Sequence, residues 1–163
     1  MANEFKASLD AKGKKFCIVA SRYGRVVTDR LVDGALECIQ QHGGRETDVD
    51  IYWVPGSFEI PLVAKLRAKS GLYDAVLALG CILRGETPHN EYIAGEVAKG
   101  LAHVNYETEV PAVFGVLTVD TMEQGIDRAG MKGSGRGYEA AAVAIEMANL
   151  VVVGKKKPSS RKR

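Results

Sequence analysis

Two patterns of apolar residues alternate along this chain. One is a short, mostly apolar run, and the other is a longer stretch in which apolar residues recur about every four positions. Short runs dominated by apolar residues predict strands at residues 14–22, 48–56, 73–82 and 110–119. The run at 73–82 is the most continuously apolar, as expected for a strand covered on both faces. Longer stretches place an apolar residue about every four positions and predict helices at residues 25–44, 57–71, 91–108, 121–130 and 137–153. Gly43 and Gly44 would end the first helix. Ser57 is a candidate N-cap of the second helix, and Pro61 suits its first turn.

Strands that alternate with helices favour a parallel sheet with helices on both faces. Four strands make a small α/β fold, a three-layer α/β/α sandwich. We expect one domain at residues 1–154, followed by a basic tail at residues 155–163. In such sheets ligands bind beyond the carboxyl ends of the strands, so the segments after the strands are the place to look for chemistry.

The composition favours a globular domain over a membrane-spanning or secreted protein. Hydrophobic residues make up 46% of the chain and charged residues 26%, which is a normal balance for a globular domain. No apolar run approaches ~20 residues, and the N-terminus lacks the apolar segment of a secretory signal, so we expect no membrane partner and no export. Cys17, Cys38 and Cys81 have no metal-ligand spacing, which favours reduced, buried thiols in a cytoplasmic protein.

Charge is distributed unevenly between the body and the tail. The tail carries six cations and no acid, so removing it changes the net charge from +2 to −4 for residues 1–154. An acidic body gives no indication of a nucleic-acid-binding face, and we expect no nucleic-acid partner. The tail could itself bind RNA or act as a targeting signal, although a disordered, solvated tail is the commoner case.

The segment GCILRGETPHN, residues 80–90, concentrates polar side chains after the third predicted strand. Gly85, Glu86 and Thr87 offer a flexible backbone, a carboxylate and a hydroxyl within one turn. His89 precedes the third predicted helix, where the partial positive charge of the helix start favours a neutral imidazole that can act as a base. An exposed loop histidine at a helix start is the structural alternative.

A glycine-rich segment, DRAGMKGSGRG at residues 127–137, places Arg128, Lys132 and Arg136 among four glycines. Glycines let backbone N–H groups approach an anion, the following helix start adds its dipole, and the cations complete an anion site. The segment suits a phosphate, with a mobile basic loop as the structural alternative. It matches neither a P-loop nor a dinucleotide-binding fingerprint.

Two further segments follow the first two strands. Ser57, Phe58 and Glu59 lie at a helix start, where a carboxylate and free N–H groups could bind sugar-like hydroxyls or simply cap the helix. Tyr23 could stack on a planar heterocycle. The sequence contains no metal-ligand set and no GxSxG nucleophile motif, so we expect no metal site.

Five segments, taken together and in order, resemble the lumazine synthase family: PGSFEIP, YDAVLALGCILRGETPH, FGVLTVDTMEQ, RAG and EAAAVAIEMANL. The resemblance runs from about residue 15 to residue 153. It implies a flavodoxin-like fold with strand order 2-1-3-4. It also implies an enzyme of riboflavin biosynthesis that joins 5-amino-6-(D-ribitylamino)uracil to 3,4-dihydroxy-2-butanone 4-phosphate. The product would be 6,7-dimethyl-8-ribityllumazine, formed with loss of phosphate and water and without a cofactor.

The resemblance also implies residues for the pyrimidine-bearing substrate. Tyr23 matches the aromatic that stacks on the ring. The residues that match the segment holding the ribityl chain are Ser57, Phe58 and Glu59. The residues that match the backbone beside the ring are Cys81, Ile82 and Leu83.

The remaining matches concern the phosphate-bearing substrate and catalysis. His89 matches the general acid/base, and Arg128 matches the cation that holds the substrate phosphate. Arg136 matches a basic position that is commonly lysine, and Phe114 matches an aromatic given by an adjacent subunit. The loop that binds the phosphate-bearing substrate corresponds to Gly85, Glu86 and Thr87.

The resemblance further implies homopentamers with shared active sites, which in many members assemble into an icosahedral shell. Riboflavin synthase is a candidate partner. A shell-forming or flavin- or lumazine-binding homologue with weak activity is the alternative to the enzyme. A flavodoxin-type flavin-binding module is a third hypothesis, but the segment after the first strand lacks a Ser/Thr-rich phosphate loop.

Three residues depart from the family pattern. Gly24 stands where asparagine is usual, Arg25 then adds a charge near the ring, and Asn90 replaces an aromatic residue. We expect these departures to alter substrate affinity rather than to remove a catalytic group. For Arg84 we expect a structural ion pair or a subunit contact.

Overall fold

The four predicted strands form one sheet in the computed structural model, which describes residues 1–131 and 135–156. The strands are β1 (Phe16–Ser21), β2 (Val49–Val54), β3 (Ala75–Leu83) and β4 (Ala112–Val119). Their order is β2-β1-β3-β4 and each neighbouring pair is parallel. The predicted flavodoxin-like sandwich with strand order 2-1-3-4 is therefore confirmed.

Helices connect the strands and cover both faces of the sheet. They are α1 (Arg25–Gln41), α2 (Ile60–Lys69), α3 (His89–Thr108), α4 (Met122–Ile126) and α5 (Gly135–Lys155). The helices α1 and α5 pack together on one face, and α2 and α3 pack together on the other. Short 3₁₀ turns at Glu46–Asp48 and Ser57–Glu59 lead into β2 and α2.

Strand β3 is the centre of both apolar cores. Leu77 and Leu79 point into the layer of α1 and α5, whereas Val76 and Ala78 point into the layer of α2 and α3. All four side chains are fully buried. Burying one large apolar side chain contributes roughly 1.5–3 kcal/mol, which explains why this strand is apolar at every position instead of alternating.

The crossing of α1 and α5 depends on a residue without a side chain. A Cβ on Gly137 would overlap the backbone of Leu31, and buried alanines continue the contact along α5. By length and composition alone, α5 would also be long and apolar enough to cross a membrane. Its buried side chains, however, join the same apolar core as those of α1.

The structure corrects several predicted boundaries. Helix α3 begins at His89 itself, and the predicted helix at 121–130 consists of α4 followed by a π-type turn at Asp127–Met131. Ser57 is not the N-cap predicted for the second helix, because the Glu59 Oε2 atom accepts the Gly56 N–H at 2.9 Å and closes the turn instead. Pro61 lies in the first turn of α2, as predicted.

The predicted tail begins inside the last turn of α5. Lys155 still belongs to the helix, and its Nζ lies 3.4 Å from the Glu109 carboxylate. The rest of the tail beyond Lys156, together with Lys132 of the glycine-rich segment, lies outside the described residues.

All three cysteines are unpaired and buried, as predicted. Burial raises the pKa of the Cys17 thiol to about 12 and that of Cys38 to about 11. It also raises the pKa of Cys81. These thiols are therefore held in the neutral form and are poor nucleophiles.

Replacing Gly137 by alanine tests the helix crossing. The added Cβ would meet the Leu31 backbone, which cannot rotate away as a side chain could, so α1 and α5 must separate. We expect Gly137→Ala to lower the free energy of unfolding by about 1–3 kcal/mol or more, measured by urea denaturation. Gly154→Ala is the control, because nothing lies within 4 Å of its new Cβ. An unchanged midpoint for Gly137→Ala would contradict this packing.

Candidate active site

A cleft of about 790 Å³ opens at the carboxyl ends of β1, β2 and β3. Ten of the predicted site residues line it, namely Tyr23, Ser57, Phe58, Glu59, Cys81, Ile82, Leu83, Gly85, Thr87 and His89. Glu86, also predicted for this site, is exposed and is not among the lining residues. The cleft thus gathers segments that follow three different strands.

Tyr23 stands on a turn that prolongs the pairing of β1 and β2. The Arg22 N–H donates to the Val54 carbonyl at 2.8 Å, and the Tyr23 N–H donates to the Pro55 carbonyl at 3.1 Å. The Tyr23 ring is 64% exposed and therefore available for stacking on a planar ligand.

Gly24 explains one departure from the family pattern. Its φ of 72° lies in the left-handed region, which glycine adopts freely and asparagine tolerates better than most residues. Glycine and asparagine can therefore both form this turn, although glycine supplies no side-chain contact. Arg25 does not line the cleft, because its guanidinium lies 3.9 Å from the centre of the Trp53 ring and its Nε is 2.9 Å from Asp29. These two contacts hold the Arg25 guanidinium against the protein surface, and its effect on a bound ring stays a prediction.

The Ser57–Glu59 turn is seated against β3 at Gly80. A Cβ on Gly80 would lie 2.8 Å from the Ser57 Oγ atom and 2.9 Å from the Ser21 Oγ atom. The missing side chain at Gly80 therefore leaves room for both hydroxyls. Ser57 is 7% exposed and Phe58 60% exposed, so the turn presents one buried hydroxyl and one open ring.

The loop between β3 and α3 carries Arg84 and leads to His89. Arg84 is exposed, and its Nη1 atom lies 3.5 Å from the Oδ1 atom of Asp120, the residue that follows β4. Its backbone N–H donates to the Val119 carbonyl at 2.8 Å. Arg84 thus makes the ion pair that was predicted. His89 is the first residue of α3, and it is exposed at the mouth of the cleft.

Three predicted site residues lie elsewhere, in a second cleft of about 710 Å³ along the edge strand β4. Phe114 is 48% exposed there. Arg128 donates to the Thr118 carbonyl at 3.3 Å, and Arg136 pairs with Glu139 at 3.1 Å. The structure therefore brings Phe114, Arg128 and Arg136 together but separates them from His89 within one chain.

Some residues of the first cleft were not predicted as binding residues, namely Pro55, Gly56, Asn90, Tyr92, Ile93 and Glu96. Most of them follow His89 along α3 at helical spacing. The predicted start of the third helix could have indicated these residues. Residues in the first turns of a helix that begins at the strand ends face the same cleft as His89.

Comparison with known proteins identifies the group to which this fold and cleft belong. A family model for 6,7-dimethyl-8-ribityllumazine synthase matches residues 13–152. The chain belongs to this family. Two relatives from strains of Clostridium kluyveri, each named 6,7-dimethyl-8-ribityllumazine synthase, are 49% identical to it over 147 residues. The aligned region covers 90% of this chain and 96% of each relative, so the resemblance inferred from five segments is confirmed over nearly the whole body.

Replacing Gly80 by alanine tests the seating of the Ser57 turn. The new Cβ would lie 2.8 Å from the Ser57 Oγ atom and 2.9 Å from the Ser21 Oγ atom, so both hydroxyls must rotate away or the turn must move away from β3. We expect Gly80→Ala to reduce lumazine synthase activity and to lower stability by about 1–3 kcal/mol. Gly95→Ala on α3 is the matched control, because its Cβ meets nothing within 4 Å. Activity of Gly80→Ala equal to that of the control would show that the turn does not shape the cleft.

Proposed function

We propose that this protein condenses 5-amino-6-(D-ribitylamino)uracil with 3,4-dihydroxy-2-butanone 4-phosphate to give 6,7-dimethyl-8-ribityllumazine, phosphate and water. The observation that carries the proposal is membership in the lumazine synthase family over residues 13–152. The strand-end cleft that gathers ten of the expected site residues supports it. This reaction is the penultimate step of riboflavin biosynthesis.

The first cleft suits the pyrimidine-bearing substrate. The Tyr23 ring is open for stacking, and the end of β3, from Cys81 to Leu83, forms the adjacent wall. Ser57 and Glu59 supply polar groups where the ribityl chain would lie. Holding two substrates in one cleft converts a bimolecular reaction into an effectively unimolecular one, which can account for a large share of the rate acceleration.

His89 is the residue we assign to proton transfer. Joining an amine to a ketone, and later expelling water and phosphate, requires protons to be moved at several steps. An imidazole at the mouth of the cleft can accept and return them. These steps use proton transfer and charge stabilisation alone, so we expect the reaction to proceed without an organic cofactor or a metal.

Arg128 and Arg136 would hold the phosphate of the second substrate. A guanidinium presents a planar fork of donors that matches phosphate oxygens and stabilises the charge of the departing phosphate. Both arginines are exposed and lie beside Phe114 in the second cleft. The phosphate-bearing substrate would also contact Gly85 and Thr87, which line the first cleft.

The separation of these two groups leads us to propose that the active site is completed by an adjacent subunit. Phe114, Arg128 and Arg136 of one chain would face the His89 cleft of its neighbour. Such an interface joins two different patches, and an interface of this kind forms a ring when the rotation between subunits closes. We propose the homopentamer of the family, with an icosahedral shell of pentamers as the higher assembly, riboflavin synthase as a further partner, and the cytoplasm as the location.

Turnover of the two substrates, followed by the absorbance of the lumazine product, tests the function. We expect product from the unaltered protein and a rate lower by no more than roughly a hundredfold for His89→Ala, because positioning survives the loss of the proton carrier. His103→Ala is the matched control, since His103 lies on the same helix, is exposed and pairs with Glu107 away from the cleft. Absence of product from the folded, unaltered protein would refute the proposal. A wholly inactive His89→Ala with normal fold and assembly would contradict the part assigned to positioning.

A further inference from the structure

The buried polar side chains divide into two pairs. Among the described residues, those buried in the fold are Ser21, Thr28, Ser57 and Asn90. The Ser21 hydroxyl donates to the Tyr23 carbonyl at 3.1 Å, and the Thr28 hydroxyl donates to the Gly24 carbonyl at 3.2 Å. Ser57 and Asn90, by contrast, make no side-chain hydrogen bond to any described residue, and both line the His89 cleft.

Asn90 lies at the N-terminal end of the apolar face of α3. It is the second residue of α3 and is 8% exposed, and the residues that follow on the same face, Ile93, Val97 and Leu101, pack into the core. A carboxamide whose polar atoms stay in contact with water gains less from this position than an apolar side chain would. The sequence has therefore placed a polar group where an apolar one would pack more favourably.

The polar atoms of this carboxamide open into the cleft. Every fully enclosed side-chain nitrogen or oxygen in the described part of the chain has a hydrogen-bond partner. Because the Asn90 amide has none, its polar atoms must be among those that remain accessible, and the accessible space beside Asn90 is the cleft. The same reasoning applies to the Ser57 hydroxyl.

We propose that Asn90 is a further specificity-determining residue, whose carboxamide binds hydroxyl groups of the ribityl chain in the same cleft as Ser57. This assignment rests on the proposed function. A carboxamide offers both donors and acceptors, and so does each hydroxyl of a polyol chain, whereas a phosphate offers acceptors only. The acids Glu59 and Glu96 line the same cleft, and no lysine or arginine of the described residues does. The cations proposed for the phosphate, Arg128 and Arg136, would come from the adjacent subunit, so the groups that this chain itself places around Asn90 suit neutral hydroxyls.

The family resemblance implies an aromatic residue at this position, and an aromatic ring offers no carboxamide for that contact. With Asn90, substrate binding by this protein would depend more strongly on the hydroxyls of the ribityl group. The polar side chain would in turn pack less well than an apolar one. Substrate binding and stability can be measured separately. Removing a carboxamide that only a ligand uses should weaken substrate binding but leave the folded protein as stable as before or more stable.

The test compares Asn90→Leu with the unaltered protein. We expect the KM for 5-amino-6-(D-ribitylamino)uracil to rise about three- to tenfold, the value for one lost hydrogen bond, and the KM for the butanone phosphate to stay unchanged. The melting temperature should be equal or higher. An analogue whose side chain lacks hydroxyls should bind the two proteins equally well. Asn90→Ala should show the same rise in KM, which excludes a steric block by leucine.

Asn149→Leu is the structural control. The Asn149 amide donates to the carbonyls of Ser8, Asp10 and Ile145 at 3.0–3.1 Å, far from the cleft in the fold. This variant should lose stability and keep its KM. Product from the unaltered protein with an unchanged KM in Asn90→Leu would overturn the assignment of Asn90 while leaving the proposed function intact. Absence of product from the unaltered protein would instead remove the proposed function, and the assignment with it.

Discussion

The parallel hydrogen bonding of β1, β2 and β3 is the constraint on which the rest of the structure depends. Parallel strands end at the same edge of the sheet, so Tyr23, Ser57 and Cys81, which are far apart along the chain, arrive at one cleft. Burial of β3 between two helical layers holds this register, because a shift by one residue would exchange the side chains that face the two cores. The cleft is thus a consequence of core packing rather than of local loop preferences.

The position of β4 at the sheet edge has the opposite effect. Nothing in the described chain pairs with its outer side, and Phe114, Arg128 and Arg136 face outward beside it. Residues that we assign to the same reaction are thus presented on two different surfaces of one molecule. The shared active site that we propose would resolve that separation, because the β4 surface of each subunit would complete the cleft of the next.

Much of the fold follows from the sequence because hydrophobic period and strand length are local signals. The four strands were predicted from that period, whereas the strand order came from the family resemblance. Ten of the residues that line the cleft were predicted as site residues. The predicted Ser57 cap was wrong because the Glu59 carboxylate reaches back to Gly56, a contact that residue preferences at one position do not reveal. Asn90 was noted only as a departure, because its burial depends on how α3 packs. The distance between Arg128 and His89 depends on tertiary structure in the same way.

Mixing subunits with different defects tests the shared active site most directly. One variant carries Arg128→Ala and the other carries Tyr23→Ala with His89→Ala, and the two are refolded together in equal amounts. If each site takes His89 from one subunit and Arg128 from its neighbour, about a quarter of the sites in a random mixture regain both halves. We therefore predict recovery of up to about a quarter of the unaltered activity, and no recovery when Arg128→Ala is mixed with a chain carrying all three changes. A mixture no more active than the average of its two components would contradict a site divided between subunits.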